Sequence, residues 1–156
     1  MSAEPRKILI LDDDFESMSP LQICLEQMLG YAVELTAAEG ILGRLAQERY
    51  DLVLVDMMIH PVSLDADNQE VTNIHFDGHN WRTTGIEFLR RLRSGAFSTA
   101  DERGTRPDVP VIVLSAVAQY SVDDLLNDTI KPVRHIEKPF DLQEMITAIS
   151  ATLLDA

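Results

Sequence analysis

Three short runs constrain the fold of this chain more than any other feature. KILIL (7–11), DLVLV (51–55) and VPVIVL (109–114) each carry four apolar residues in unbroken succession. A run without polar alternation suits a strand buried on both faces, the condition of inner strands in parallel sheets. Two weaker strands are expected at AVELT (32–36), whose alternation suits an edge, and at VRHIE (133–137). Helical patterns separate the strands. Ser19, Pro20 and Gln22 predict an N-cap, a proline at the first helical position and a capping-box partner, with Gly30 as the stop. Cys24 falls among Leu21, Leu25 and Met28 at helical spacing and reads as a small core residue. Thr36 with Glu39 opens a second helix, weakened by Gly40 and Gly43. TGIEFLRRLR (84–93) puts Ile86, Leu89 and Leu92 on one face, and Ser121 with Asp124 predicts a short helix to about Asn127. Asp141 with Glu144 caps the last helix, whose stripe is Leu142, Met145, Ile146, Ile149 and Leu153. Alternating strands and helices imply a doubly wound parallel α/β sheet, in which ligands bind outside the carboxyl ends of the strands.

At those ends the chain concentrates its chemistry. The first strand leads into Asp12, Asp13 and Asp14, the run at 51–55 into Asp56, the run at 109–114 into Ser115, and the last strand into Lys138 and Pro139. A carboxylate inside a core costs several kcal/mol unless paired or hydrated, so Asp56 is expected at the strand's exit. Taken singly, each residue has an ordinary explanation: turn chemistry for Asp56, a helix N-terminus for Asp12 and Asp13, a solvated surface charge for Lys138. Together, at neighbouring strand ends, they suit phosphoryl transfer to a carboxylate. Asp13 and Asp56 offer hard oxygen donors to Mg²⁺, Asp56 a nucleophile, Ser115 a hydrogen bond to the product, and Lys138 a charge for the moving phosphoryl group.

Composition limits the other readings. The 156 residues, 46% of them apolar, suit one domain with a proper core. A net charge of −13 repels nucleic-acid phosphates and makes direct DNA binding a poor expectation. No apolar run approaches the roughly 18 residues of a membrane span, and MSAEPRKILIL lacks the apolar core of a signal peptide. A single cysteine, Cys24, excludes an internal disulfide and suits the cytoplasm.

The stretches KILILDDD, DLVLVDMM, TGIEFLRRLR, VPVIVLSA and HIEKPF are similar to the receiver domains of two-component response regulators, and they span nearly the whole chain. The resemblance implies a five-stranded sheet in the flavodoxin-like order 2-1-3-4-5 and a single receiver domain over 1–156. It implies Asp56 as phosphoacceptor, and Mg²⁺ on Asp12, Asp13, Asp56 and the Met58 backbone carbonyl. Ser115 matches the switch hydroxyl and Lys138 the family's lysine, with a cis peptide at Lys138–Pro139. The family's inward-turning switch aromatic is replaced by His135. Residues two past the acceptor and two past the switch hydroxyl, Met58 and Val117, are both apolar, which implies slow self-dephosphorylation.

Two connections depart from the family pattern. Pro61 comes five residues after Asp56 and the matching glycine is Gly85, so an insert of about twenty residues, near 62–84, lies beside the site. Within it, Asp77-Gly78 between NIHF and HNWR predicts a hairpin, and the whole reads as a solvated addition on a complete core from which Phe76 or Trp81 packs on the domain, with a partner-contact or lid role open to it. His75, Asp77 and His79, with Asp65 and Asp67, are imaginable metal ligands, but outward-facing histidines are the simpler expectation. His60 is expected to shape the loop before Pro61. The link SGAFSTADERGTRPD (94–108) is also long.

The expected function is that of a stand-alone receiver: a signalling protein and not an enzyme in the usual sense. It takes phosphate from a histidine kinase or phosphotransfer protein and acts through contacts with a downstream protein, since one helix alone follows Phe140. Homodimerisation stays open. The alternative is a pseudo-receiver, a binding module governed by partners instead of phosphate. A phosphatase-type hydrolase fits less well, because Met57 and Met58 stand where such chemistry wants a second acid.

Overall fold

The apolar runs do form the inner strands of one sheet. The computed structural model describes residues 4–65, 67–98, 103–116, 132 and 134–155. Strands β1 (Lys7–Leu11), β3 (Leu52–Asp56) and β6 (Val111–Ser115) lie parallel at the centre, with β2 (Ala32–Thr36) and β7 (Arg134–Glu137) at the edges. Their order, β2-β1-β3-β6-β7, is the expected 2-1-3-4-5 once the hairpin strands β4 (Val62–Leu64) and β5 (Glu70–Thr72) are set aside. The helices are α1 (Phe15–Leu29), the five-residue α2 (Ile41–Leu45), α3 (Thr84–Arg93) and α4 (Leu142–Asp155). The helix expected from Ser121 to Asn127 and the position of Val117 lie outside the described residues.

Strand periodicity divides the core into two layers. Leu9, Leu11, Val53, Val55, Val111 and Val113 pack with residues of α2 and α3. Ile8, Ile10, Leu52, Leu54, Ile112 and Leu114 pack with Met18, Leu21 and Leu25 of α1 and Met145, Ile149 and Leu153 of α4. Every one of these twelve strand residues is fully buried, which explains why the runs carry no polar alternation.

Three expectations need correction. First, α1 starts at Phe15, not Pro20, because the Asp14 side chain caps it by accepting the Ser17 amide at 3.3 Å. Pro20 is tolerated inside because the bond it forfeits would reach the Glu16 carbonyl in the exposed first turn, where water can serve. Gly30 does end the helix, at φ 72°. Met28 is exposed and Cys24 half-buried, so the apolar stripe of α1 is narrower than its spacing suggested. Second, α2 begins only after Gly40, since the Thr36 hydroxyl is engaged by the Ala38 amide at 3.1 Å and caps no helix.

Third, the hairpin after β3 turns at Asp65–Gln69 and not at Asp77-Gly78. Asp65 Oδ1 accepts the amides of Asp67 and Gln69, both at 2.9 Å, and Asn68 takes the left-handed conformation at φ 60°. Asp77 and Gly78 do form a turn, closed by the His79 amide on the Phe76 carbonyl (3.0 Å). Its flanks build no ladder because Ile74 and Phe76 are turned into the α3 side of the core. Phe76 thus packs on the domain as expected, but Ile74 enters with it, and the segment is part of the core rather than an addition to it. Phe76→Ala should cost about 3–5 kcal/mol, whereas Leu64→Ser on the exposed hairpin should change stability by about 0.5 kcal/mol or less. Thermal denaturation of the two variants checks this, and equal melting points would overturn it.

The 94–108 connection is also anchored. Phe97 stacks on Phe88 with ring centroids 5.5 Å apart. Thr105 Oγ1 accepts the Tyr50 amide at 3.1 Å and donates to the Glu48 carbonyl at 2.8 Å.

Candidate functional site

All five strands of the main sheet run the same way, so their carboxyl ends share one edge, and Asp12, Asp13, Asp56 and Lys138 gather there. Asp12 follows β1 and is fully buried; Asp56 ends β3 and is 8% exposed; Asp13 is half-buried. Lys138, in the turn after β7, reaches both buried acids: its Nζ lies 2.5 Å from Asp12 Oδ2 and 3.1 Å from Asp56 Oδ2. Its backbone N–H donates to the Ser115 carbonyl at 2.8 Å, which ties the β7 turn to the end of β6, and the Lys138–Pro139 peptide is cis. Ser115 is buried at the end of β6.

Backbone amides hold each carboxylate. The Asp14 amide donates to Asp12 Oδ1 (2.9 Å), the Met58 amide to Asp56 Oδ1 (3.2 Å), and the His60 amide to Asp13 Oδ2 (3.1 Å). One oxygen from each of Asp12, Asp13 and Asp56 lies within 4.8 Å of the others, a cluster able to hold a cation, and among the described residues it is the only such group. Three carboxylates against one ammonium leave two negative charges uncompensated when all are ionised, the deficit a divalent cation would fill.

The electrostatics follow from burial. Desolvation pushes Asp56 up to about 6, helped by the charge of Asp12 and opposed by Lys138 and the Met58 amide. Asp12 is raised by desolvation too, against the pull of Lys138. For Lys138, burial alone would lower its pKa, but the hydrogen bonds and charges of Asp12 and Asp56 outweigh it and raise the ammonium above its ordinary value.

Gly85, at the start of α3, explains how the helix comes so close to the site. Its amide donates to the Met57 carbonyl at 2.9 Å, and a Cβ placed on it would lie 2.4 Å from the Asp56 carbonyl oxygen. On the other side, an apolar cavity of about 400 Å³ opens beside Lys138, lined by Met18, Leu21, Pro139, Phe140 and Leu142.

Other candidates fall elsewhere. His135 is half-buried on β7, in register with Val113. The side chains of His75 and His79 lie near Glu39 (4.0 Å) and Glu87 (3.6 Å), so the second metal cluster imagined for this segment is not assembled among the described residues. His60 does shape its loop, with its ring Nδ1 2.9 Å from the Val62 carbonyl and its ring 5.2 Å from that of Trp81. Its contact with Asp13 was not legible in the sequence, because the donor is a backbone amide that almost any residue carries.

No protein-family model matches the chain. It is 30% identical over 149 residues to the DNA-binding dual master transcriptional regulator RpaA of Synechocystis, covering 94% of this chain and 48% of that protein. It is likewise 30% identical over 153 residues to the uncharacterized transcriptional regulatory protein YkoG of Bacillus subtilis, covering 96% and 52%. The chain thus spans about half the length of the curated relatives it matches. Among solved structures, a CheY-like response regulator receiver domain from Methanospirillum hungatei superposes with a TM-score of 0.67 at 20% identity, covering 97% of this chain and 96% of that one. The receiver domain of the sensor histidine kinase PA1611 of Pseudomonas aeruginosa, which has a magnesium ion in its active-site cleft, superposes with a TM-score of 0.61 at 22% identity, covering 96% and 98%. By sequence the chain is thus similar to about half of two transcriptional regulators, and its fold is that of the response regulator receiver domains.

Proposed function

We propose that the chain is a phosphorylatable receiver, a single domain over 1–156 that takes a phosphoryl group on Asp56 and signals through contacts with other proteins. The observation that carries this reading is the convergence of Asp12, Asp13, Asp56 and Lys138 at one sheet edge, with three carboxylate oxygens within 4.8 Å of one another. The donor is a histidine kinase or a histidine phosphotransfer protein, as in the family, and the setting is the cytoplasm. Among the described residues no helix is long and apolar enough to cross a membrane.

In the reaction an Asp56 carboxylate oxygen attacks phosphorus, and the bond from phosphorus to the donor nitrogen breaks with its electron pair leaving on the imidazole. Mg²⁺, held by Asp12, Asp13, Asp56 and the Met58 backbone carbonyl, would supply charge neutralisation for the phosphoryl oxygens. Lys138 begins paired to Asp56 Oδ2, so its ammonium stands where the new phosphoryl charge arises. Ser115 and His135 are the switch positions, Ser115 by donating its hydroxyl to the phosphoryl group. The intact acidic trio and Lys138 support this reading over a module that works without phosphorylation.

The test is incubation with a small phosphodonor, with Mg²⁺ or with chelator, read by intact-protein mass spectrometry. A phosphoryl adduct is expected with Mg²⁺ and not in chelator. Labelling that ignores the cation, or none in its presence, would sink the proposal. In the same assay Lys138→Met should slow labelling by about a hundredfold, and an unchanged rate would remove Lys138 from the chemistry.

A further inference from the structure

Two of the three carboxylates are each held by Lys138 and by an amide close in sequence. Asp12 accepts from Lys138 Nζ and the Asp14 amide, Asp56 from Lys138 Nζ and the Met58 amide. Asp13 is anchored from further away. Its Oδ2 accepts the amide of His60, 47 residues along the chain. That amide sits in the loop between β3 and β4, so the aim of Asp13 depends on what holds this loop.

Asn73, just past β5, does so. Its Nδ2 donates to the His60 carbonyl at 2.9 Å and to Ser63 Oγ at 2.6 Å, and its backbone N–H donates to the Pro61 carbonyl at 2.8 Å. Asn73 is 1% exposed, and a carboxamide that buried is stable only with its donors satisfied. From its other side it is fixed to the core. It forms an antiparallel bridge with Ala38, and the Ile74 amide donates to the Ala37 carbonyl at 2.8 Å, both residues being fully buried. A chain of contacts therefore runs from the core through Asn73 and the backbone on either side of the His60 Cα to Asp13.

We propose that Asn73 is a positioning residue of the acidic site, holding the His60 backbone by its carbonyl so that the amide on the other side of the same Cα orients Asp13 for a divalent cation. The inference rests on the reading of the site given above. It turns on chemistry and not on packing alone, since one nitrogen must present two N–H groups to two acceptors. An aspartate of the same shape would set an oxygen against the His60 carbonyl; Ser63 can rotate its hydroxyl to donate, but the carbonyl cannot adapt.

The experiment is a titration of the full chain with MgCl₂, followed by ¹⁵N–¹H correlation spectra, for wild type, Asn73→Asp and Asn73→Ala. Wild type should show Mg²⁺-dependent shifts at the amides of Asp13, Asp14 and Met58. The variants should bind Mg²⁺ roughly three- to tenfold more weakly, less than the roughly 10- to 100-fold typical when a group bonded directly to a ligand's partner shell is lost. Their His60 amide should already be displaced before Mg²⁺ is added, with the Asp14 and Met58 amides in place. A variant that melts lower yet keeps wild-type affinity and an unmoved His60 amide would show a purely structural role and overturn the inference. So would a wild-type His60 amide that exchanges with solvent as fast as an open loop, a result that needs no variant to fold. No Mg²⁺-dependent shift in wild type would overturn the reading of the site itself, and this inference with it.

Discussion

Asp56→Asn should acquire no phosphoryl group under conditions that label the wild type. The carboxamide is isosteric but carries no anionic oxygen, so the nucleophile is lost and the cation ligand weakened to a neutral oxygen while the strand end keeps its shape. Intact-mass measurement after donor and Mg²⁺ decides it, and an adduct that persists in the variant would move the phosphoacceptor elsewhere. Stability should change in the opposite direction. Burial and the Asp12 charge push Asp56 from its ordinary 3.8 up to about 6. With its folded pKa raised, this acid's contribution to stability is fully present below about pH 4 and is lost as pH rises through about 6. Asparagine does not titrate. In chelator at pH 7.5, Asp56→Asn should therefore be the more stable protein by on the order of 1 kcal/mol, the loss of its bond to Lys138 offsetting part of the gain. The difference should fade near pH 4. Thermal denaturation at the two pH values checks the sign, and a variant less stable than wild type at pH 7.5 would mean that the Lys138 pairing outweighs desolvation.

Gly85→Ala should be the most damaging single methyl that can be added near the site. A Cβ there meets the Asp56 carbonyl oxygen at 2.4 Å and the Met57 Cα at 2.8 Å, both backbone atoms that cannot rotate away. Either α3 or the end of β3 must shift, at a cost of about 3 kcal/mol, which lowers the melting temperature by roughly 6–12 °C in a chain of this size. Because the displaced strand end carries Asp56, labelling should slow as well. Gly43→Ala is the control: nothing lies within 4 Å of its Cβ, and inside α2 it should leave stability unchanged or raise it by about 0.5–1 kcal/mol. Similar melting curves for the two variants would show that the close approach of α3 is not required.

What the sequence determined by itself is local or periodic. The three apolar runs named the inner strands, because burial on both faces leaves no position for a polar residue. The residues that follow those runs named Asp12, Asp13, Asp56 and Ser115, and the end of the weaker last strand named Lys138, because a parallel sheet brings its carboxyl ends together whatever its details. The tertiary structure decided wherever two local signals competed or the partner was a backbone group. Asp77-Gly78 has better hairpin chemistry than Asp65–Gln69, yet Ile74 and Phe76 gain more by entering the core than by pairing across a turn. Ser19-Pro20 looks like a helix start, yet Asp14 caps the chain one turn earlier, since a strand end in acids can serve site and helix at once. The anchoring of Asp13 was invisible for a different reason. Its donor is the His60 amide, steadied by Asn73, and a peptide group carries no mark in the sequence until folding brings residues 13, 60 and 73 together.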